Sequence, residues 1–183
     1  LSAFASRSVI SMSSLTKEAA AFSYLDSHGW SQRTNLDGIV LFQTRKGPSS
    51  AYTQVFRNGC VEAVAVIEPM DDGSGEAQKI IPAVWCEWQT IRAFTSYLKG
   101  LFTLGVVPPL YVFLSIINAK GYTLAIGSRY FRGGEVLDRD LLLLPEVVIH
   151  DQDAKPGQVL KPLFDMMWYA FDHANGTGNV NDA

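Results

Sequence analysis

The sequence predicts an α+β fold, in which a mostly antiparallel sheet of about six strands is packed by two long helices plus a short N-terminal helix. Three observations lead to this prediction. Apolar residues alternate with a period of two between Leu36 and Ile67, as they do in half-buried strands. In residues 82–104 and 159–173, apolar residues instead recur every three to four positions, as they do in helices with one buried face. Connections of hairpin length within each strand group favour antiparallel pairing.

The N-terminal region predicts a short β-like stretch over Val9–Met12 and a helix over Lys17–Tyr24. Residues 27–31 contain a glycine and two serines and are predicted to form a loop. Hydroxyl side chains favour the position that precedes the first helical turn. The candidate N-caps of this helix are Ser13, Ser14 and Thr16.

The period-two region predicts a three-stranded meander. Its strands are Leu36–Gln43, Ala51–Phe56 and Cys60–Ile67. Lys46–Ser49 supplies the first turn. Asn58 and Gly59 are the strongest hairpin signal in the chain, because both residue types tolerate positive φ. The acidic, glycine-containing stretch Glu68–Glu76 is predicted to be an exposed loop.

The second half predicts a helix from Pro82 to Leu104, followed by Gly105 at the position where helices favour glycine. Two strands, Leu110–Ile117 and Tyr122–Ile126, are expected to be joined through residues 118–121. A third strand, Leu141–Ile149, should break or bend at Pro145. The last helix runs from Val159 to His173, with Pro162 in its first turn or at a kink.

The domain prediction is a single α+β domain over residues 1–174, cut from the C-terminal part of a longer protein, with a flexible tail over residues 175–183. Net charge is −3, with 15 basic and 18 acidic residues, which opposes a free-standing nucleic-acid binder. No apolar run approaches the roughly 20 residues that cross a bilayer. Cys60 and Cys86 are expected to be buried, reduced thiols, which favours a cytoplasmic protein.

No catalytic, cofactor or metal site is predicted. The glycine clusters at 73–75 and 133–134 match neither nucleotide fingerprint, and no Gly-x-Ser-x-Gly motif occurs. The three histidines lack the spacing of metal ligands. Asp138 and Asp140 flank Arg139, a pattern more typical of a turn with local ion pairs than of a metal site. The basic and aromatic run Arg129–Arg132 is too short to define a nucleic-acid groove.

A polar and aromatic cluster around the meander is the candidate binding surface, able to receive a partner domain or a ligand. Its residues are Trp30, Arg33, Asn35, Asp37, Gln54, Arg57 and Glu62. A second interpretation stays open, in which Asn35 and Asp37 serve turns while Arg57 and Glu62 are solvated strand residues.

Several short motifs resemble the C-terminal half of bacterial proteins that begin with a Schlafen-type AlbA-like domain. The motifs that carry this resemblance are Gly29-Trp30-Ser31, Asn35-Leu36-Asp37-Gly38, Tyr52 to Gly59, Glu62-Ala63-Val64, Gly105-Val106, Pro108-Pro109, Lys120-Gly121-Tyr122, Asp138-Arg139-Asp140, Leu142 to Glu146 and Leu160-Lys161-Pro162. Such proteins are often labelled DNA-binding, ATP-binding or transcriptional regulators. The resemblance implies that nucleic-acid or nucleotide association belongs to the AlbA-like domain, and it implies no site residues in this half.

Three functional hypotheses follow. The leading one is a non-catalytic regulatory or interaction domain whose partner is the missing N-terminal AlbA-like domain, a second copy of the chain, or both. The second is a small-molecule sensor, with a pocket lined by Tyr52, Phe56, Trp85 and Trp88. The third is a hydrolase whose acids meet only in three dimensions. The candidate acids are Asp37, Glu62, Asp138 and Asp140.

Overall fold

The computed structural model describes residues 9–23, 29–43, 50–67, 70–71, 77–126 and 131–174. Contacts between Cα atoms divide the chain into two compact units. Unit 1 comprises Leu1–Val66 and Arg92–Val107, and unit 2 comprises Ile67–Ile91 and Pro108–Ala183. The single domain over residues 1–174 stays a prediction, and the predicted tail lies outside the described residues.

Unit 1 begins with helix α1 (Met12–Glu18), which continues into a 3₁₀ turn over Ala19–Phe22. The N-cap is Ser11, whose Oγ accepts a hydrogen bond from the Ser14 N–H at 3.1 Å. The predicted caps were therefore wrong, and the helix begins earlier than Lys17 because an upstream serine satisfies its first turn. No strand forms over residues 9–11.

The meander is confirmed, with one further strand added. Antiparallel strands follow in the order β1 (Trp30–Thr34), β2 (Gly38–Gln43), β3 (Ala51–Phe56) and β4 (Val61–Ala65). The predicted loop over residues 27–31 was wrong where β1 begins. This strand is polar and half-exposed, so the apolar alternation that reveals a strand is weak there. The predicted turn Lys46–Ser49 falls outside the described residues.

The predicted Asn58-Gly59 hairpin joins β3 to β4 through a three-residue loop. The Gly59 N–H donates to the Phe56 carbonyl at 3.0 Å, and the Phe56 N–H donates to the Cys60 carbonyl at 2.9 Å. Only Gly59 takes a positive φ, of 87°, while the Asn58 side chain accepts from the Cys60 N–H at 2.9 Å. This is a type of loop in which one residue, usually glycine, occupies the left-handed region.

One face of the four-stranded sheet forms the hydrophobic core of unit 1. The core side chains are Leu15, Ala19, Phe22, Ile39, Leu41, Val55, Ala93, Tyr97 and Leu101. Helix α2 (Ala83–Thr103) supplies the last three of these through its C-terminal half. Within this core the Thr53 and Tyr97 hydroxyls are 3.0 Å apart and share a hydrogen bond. Burial raises the pKa of Tyr97 to about 12.

The described part of unit 2 contains nine short strands. They are β5 (Met70–Asp71), β6 (Ala77–Gln78), β7 (Ile80–Pro82), β8 (Leu110–Val112), β9 (Ser115–Ile117), β10 (Thr123–Ile126), β11 (Phe131–Gly133), β12 (Leu141–Leu143) and β13 (Val147–Ile149). They form a three-stranded sheet, β11-β10-β7, and the pairs β12-β9, β13-β8 and β5-β6. Pairing is antiparallel except between β7 and β10.

The prediction of one sheet of about six strands was therefore wrong, since the largest described sheet has four strands. The predicted strand Leu110–Ile117 is divided into β8 and β9, and β9 does not pair with β10 across residues 118–121. The Ala119 N–H donates to the Asp140 carbonyl and the Gly121 N–H to that of Leu137, so this turn is held by a distant segment. Strand β9 consequently pairs with β12, and β10 pairs with β7 and β11. The predicted break at Pro145 is confirmed.

The two later helices differ in length, so the prediction of two long helices was wrong for the second. Helix α2 has 21 residues and ends before Gly105, which takes a φ of 81° as predicted. Helix α3 (Pro156–Ala170) has 15 residues, begins before Val159 and contains Pro162. Its buried face matches the predicted apolar stripe. The buried residues of that face are Leu160, Leu163, Phe164, Met167 and Trp168.

Candidate functional site

Three of the predicted site residues form a row across the sheet of unit 1. Val40 in β2 lies opposite Arg33 in β1 and Gln54 in β3, and Gln54 lies opposite Glu62 in β4. Residues directly opposite each other in an antiparallel sheet share a face. Arg33, Gln54 and Glu62 therefore lie on the face opposite the hydrophobic core, which we call the polar face.

Asn35 connects the polar face to the turn between β1 and β2. Its Nδ2 donates to the Gln54 Oε1 at 2.8 Å, and its Oδ1 accepts from the N–H groups of Asp37 and Gly38 at 3.1 and 2.8 Å. This arrangement is an Asx-type turn. The interpretation of Asn35 as a turn residue is confirmed, and the same side chain satisfies the buried amide of Gln54.

Asp37 and Arg57 meet where the two turns of the sheet lie side by side. The Arg57 N–H donates to the Asp37 carbonyl at 2.8 Å, and the Arg57 Nε donates to the Ile10 carbonyl at 3.3 Å. An open cavity of about 270 Å³ lies beside them. Its lining residues are Val9, Leu36, Asp37, Phe56, Arg57 and Asn58. Its volume falls just below the roughly 300–1,000 Å³ of ligand pockets.

The charged ends of the row are engaged by aromatic rings. The Tyr52 hydroxyl donates to the Glu62 Oε1 at 2.6 Å, and this hydrogen bond raises the pKa of Tyr52 above its ordinary value. The Arg33 guanidinium lies 4.8 Å from the centroid of the Phe42 ring, a cation–π contact. These contacts fix the orientation of both charges on the polar face.

Trp30 does not join the other six predicted site residues. It begins β1 opposite Gln43, at the far end of the strand from Asn35, and it packs against the hydrophobic core. The alternation of strand side chains therefore places it on the core face. The structure brings Arg33, Asn35, Asp37, Gln54, Arg57 and Glu62 to one region of the sheet, whereas Trp30 is a packing residue.

The aromatic residues of the sensor hypothesis belong to different units. Tyr52 and Phe56 lie in β3 of unit 1, while Trp85 and Trp88 lie in the part of α2 that belongs to unit 2. Trp85 and Trp88 are both exposed. Within unit 2, these two indoles lie at the surface instead of filling its core.

The four candidate acids are divided between the two units and are all exposed. Asp37 and Glu62 lie in unit 1, Asp138 and Asp140 in unit 2, and all four are exposed. The Arg139 Nε donates to the Asp138 Oδ1 at 3.0 Å, which confirms the predicted local ion pair. Over the described ranges, no group of three or more His, Cys, Asp or Glu residues is arranged to hold a metal ion.

The two cysteines differ in environment. Cys86 is half-buried, and burial raises the pKa of its thiol to about 12, while its predicted inertness stays a prediction. Cys60 is exposed, so its predicted burial was wrong. The reason is its position directly after the three-residue loop, where the chain has not yet entered β4.

Sequence reasoning missed a group of exposed apolar side chains in unit 2. From Leu110 to Ile117 exposure alternates residue by residue, and Leu141 and Leu143 are exposed on the strand that pairs with β9. Ile117 lies opposite Leu141, so both strands contribute to the same face. The side chains are 48–71% exposed. We call them the ribbon face: Tyr111, Phe113, Ile117, Leu141 and Leu143.

The sequence shows continuous apolar runs where the ribbon face lies, but it does not show which of their side chains are exposed. Continuous apolar runs predict strands that are buried on both faces. The even-numbered residues of β8 and β9 are half-buried and the odd-numbered ones are exposed, so unit 2 covers only one side of this ribbon.

None of the helices in the described ranges combines the length and apolar composition that a bilayer crossing needs. Comparison of the chain with protein-family models, with curated proteins and with solved structures gives no match.

Proposed function

We propose that this chain is a non-catalytic interaction domain of a bacterial regulatory protein, and that its ribbon face binds a partner protein. One observation supports the proposal above the others. Ile117, Leu141 and Leu143 are exposed on the β9–β12 pair, and the exposed Tyr111 and Phe113 lie in β8 and directly after it, although polar residues are the norm on the solvent side of such strands. Contiguous exposed apolar surface of this kind marks protein interaction sites in proteins that otherwise bury such residues.

The energetic argument follows from burial. Transferring one large apolar side chain from water to a packed environment contributes about 1.5–3 kcal/mol. Phe113 and Leu143 are the most exposed members of the ribbon face, so covering them yields the largest gain. The ordering and desolvation costs of association offset part of this gain. A few central anchors are nevertheless enough to carry a specific interface.

A non-catalytic role is supported by the state of the reactive groups. Catalytic carboxylates are usually tuned by burial or by a close partner of like charge. The four candidate acids are instead exposed, and Asp138 is paired with Arg139. Cys86 is held protonated by burial. The buried carboxylate Glu87 accepts a hydrogen bond from the Trp168 indole and belongs to the packing of unit 2.

The partner that we propose is a Schlafen-type AlbA-like domain, N-terminal in the same protein, with homo-oligomerisation as a further possibility. The resemblance of the sequence motifs supports this choice. Nucleic-acid association then belongs to the AlbA-like domain, in keeping with the net charge of −3 on the present chain. The proposed location is the cytoplasm.

The test is a calorimetric titration of the chain with the AlbA-like domain encoded in the same reading frame, produced separately. We expect binding that is weakened at least tenfold by the double substitution Phe113→Ser with Leu143→Ser. The matched control is Leu36→Ser, because Leu36 is 91% exposed but belongs to unit 1. Binding that survives the ribbon substitutions, or a reading frame without such a domain, contradicts the proposal.

A further inference from the structure

The two outer strands of the unit 1 sheet are β1 and β4, and their outward backbone groups can be assigned. In the β3–β4 ladder, the Val66 N–H donates to the Ser50 carbonyl at 2.7 Å and the Phe56 N–H to the Cys60 carbonyl at 2.9 Å. Hydrogen-bonded pairs alternate along an antiparallel ladder. The even-numbered residues of β4 therefore bond to β3, and Val61, Ala63 and Ala65 direct their N–H and C=O groups away from it.

Strand β4 is the less protected of the two edges. Within the described part of the chain it pairs with β3 alone. Residues 61–67 read Val-Glu-Ala-Val-Ala-Val-Ile, with one charge and neither proline nor glycine. All but one of the β4 residues are exposed. By contrast, β1 has the polar sequence Trp-Ser-Gln-Arg-Thr, which offers a second strand less apolar surface than the valines and alanines of β4.

We infer that β4 binds β4 of a second copy of this chain in antiparallel register, with the two-fold axis at Ala63. Val61 then lies opposite Ala65 of the second copy, Glu62 opposite Val64, and Ala63 opposite itself. The two four-stranded sheets become one continuous sheet. All three outward residues on each side are paired, which forms about six backbone hydrogen bonds.

The side chains favour this register over its neighbours. A shift that centres the pairing on Glu62 places two carboxylates directly opposite each other, an arrangement that is destabilising in a sheet. A shift of the pairing toward the C-terminus places Val61 opposite a residue of the second copy that follows Ala65, the last residue of β4. In the proposed register each Glu62 faces a valine and keeps its hydrogen bond from the Tyr52 hydroxyl.

A second copy is the occupant that the strand fits best. The pairing is self-complementary, which a two-fold interface requires, and closed two-fold dimers are the most frequent homo-oligomers. The small side chains of Ala63 and Ala65 let two backbones approach without rearrangement. The interface is small, so we expect a dissociation constant on the order of 10 μM or weaker. This inference does not rest on the ribbon face, because β4 belongs to unit 1.

The mass of the chain, measured by analytical ultracentrifugation between about 5 and 500 μM, tests the dimer. Ala63→Pro removes the N–H at the axis without removing a bond to β3, and we expect it to weaken the dimer at least tenfold. The matched control is Gln32→Pro. The Asn35 N–H donates to the Gly38 carbonyl, so the same alternation directs the Gln32 N–H away from β2 at the opposite edge.

The register has its own test, which uses exposed side chains and keeps the backbone unchanged. Val64→Lys places a cation opposite Glu62 of the second copy, and Val64→Glu places a second carboxylate there. We expect the lysine variant to dimerise at least as tightly as the unmodified chain and the glutamate variant several-fold more weakly. Equal effects of the two substitutions overturn the register.

Amide hydrogen exchange separates this dimer from association elsewhere. In the dimer the amides of Ala63 and Ala65 are protected at high concentration and exchange rapidly after dilution. The amides of Glu62 and Val64 bond to β3 and remain protected at both concentrations. A chain that stays monomeric at 500 μM, or one that dimerises without protecting Ala63, overturns the inference. Dimerisation that survives Phe113→Ser with Leu143→Ser supports it while leaving the ribbon face to its separate test.

Discussion

The buried pair Glu87 and Trp168 gives the sharpest stability prediction for unit 2. Glu87 is 1% exposed, and its Oε1 accepts a hydrogen bond from the Trp168 Nε1–H. Trp168→Phe removes this donor and leaves space where the outer part of the indole was. Removing the donor of a hydrogen bond to a buried acceptor costs about 1–3 kcal/mol. The cavity adds about 1 kcal/mol, so we expect the free energy of unfolding to fall by about 3 kcal/mol.

The assay is urea unfolding followed by far-ultraviolet circular dichroism, which does not depend on the indole that is removed. The matched control is Trp85→Phe, because Trp85 is on the same helix as Glu87 and is 49% exposed. We expect the control to change the free energy of unfolding by less than about 0.5 kcal/mol. A cost below about 1 kcal/mol for Trp168→Phe, or equal costs for the two variants, refutes the reasoning.

Three further predictions concern the packing of unit 1 and the two thiols. Gly38→Ala places a Cβ 2.0 Å from the Val55 carbonyl oxygen. We expect the free energy of unfolding, measured with urea, to fall by about 2–3 kcal/mol. A variant as stable as the wild type contradicts this close approach. Cys60 should react with a thiol reagent in the native protein while Cys86 stays unmodified until unfolding, and mass spectrometry of the modified peptides distinguishes the two outcomes. The pKa of the Tyr97 phenol is about 10 in the unfolded chain and about 12 in the folded one. The free energy of unfolding is therefore highest below pH 10 and should fall by about 1.4 kcal/mol per pH unit between pH 10 and pH 12. Tyr97→Phe should remove this contribution, and an unchanged alkaline slope contradicts it.

Local patterns predicted the two later helices and the longer strands, but not β1, β6, β7 or β11, nor β5, which lies within the predicted loop Glu68–Glu76. The alternation that predicted β2, β3 and β4 arises from a sheet with one buried face, and it was strong because Ile39, Leu41 and Val55 fill that face. The stripe of α3 was predicted for the same reason. Strand β1 was not predicted, because its polar residues are held by pairing with β2 rather than by burial.

Pairing between strands that are far apart in the sequence could not be predicted from local patterns. Which strand pairs with β9 is decided by backbone hydrogen bonds of the turn at Ala119, whose partner is Asp140. A local propensity carries no information about that partner. Arg33, Gln54 and Glu62 lie on one face because the register of the turns places them opposite one another across β1 to β4, and their role as a binding surface stays a prediction. Trp30 was included because of its residue type, yet its position in β1 places it on the core face.

Site-specific photo-crosslinking of the chain with the AlbA-like domain that we propose as its partner tests the ribbon face most directly. A photoreactive phenylalanine analogue at Phe113 should crosslink to the AlbA-like domain, and the same analogue at Leu36 should not, although Leu36 is the more exposed of the two positions. Mass spectrometry of the crosslinked peptides identifies the contacts. Crosslinks from Phe113 to that domain, lost when Leu143→Ser is added, are the result that we predict. Equal crosslinking from both positions, or none from Phe113, contradicts the claim that the ribbon face binds this partner.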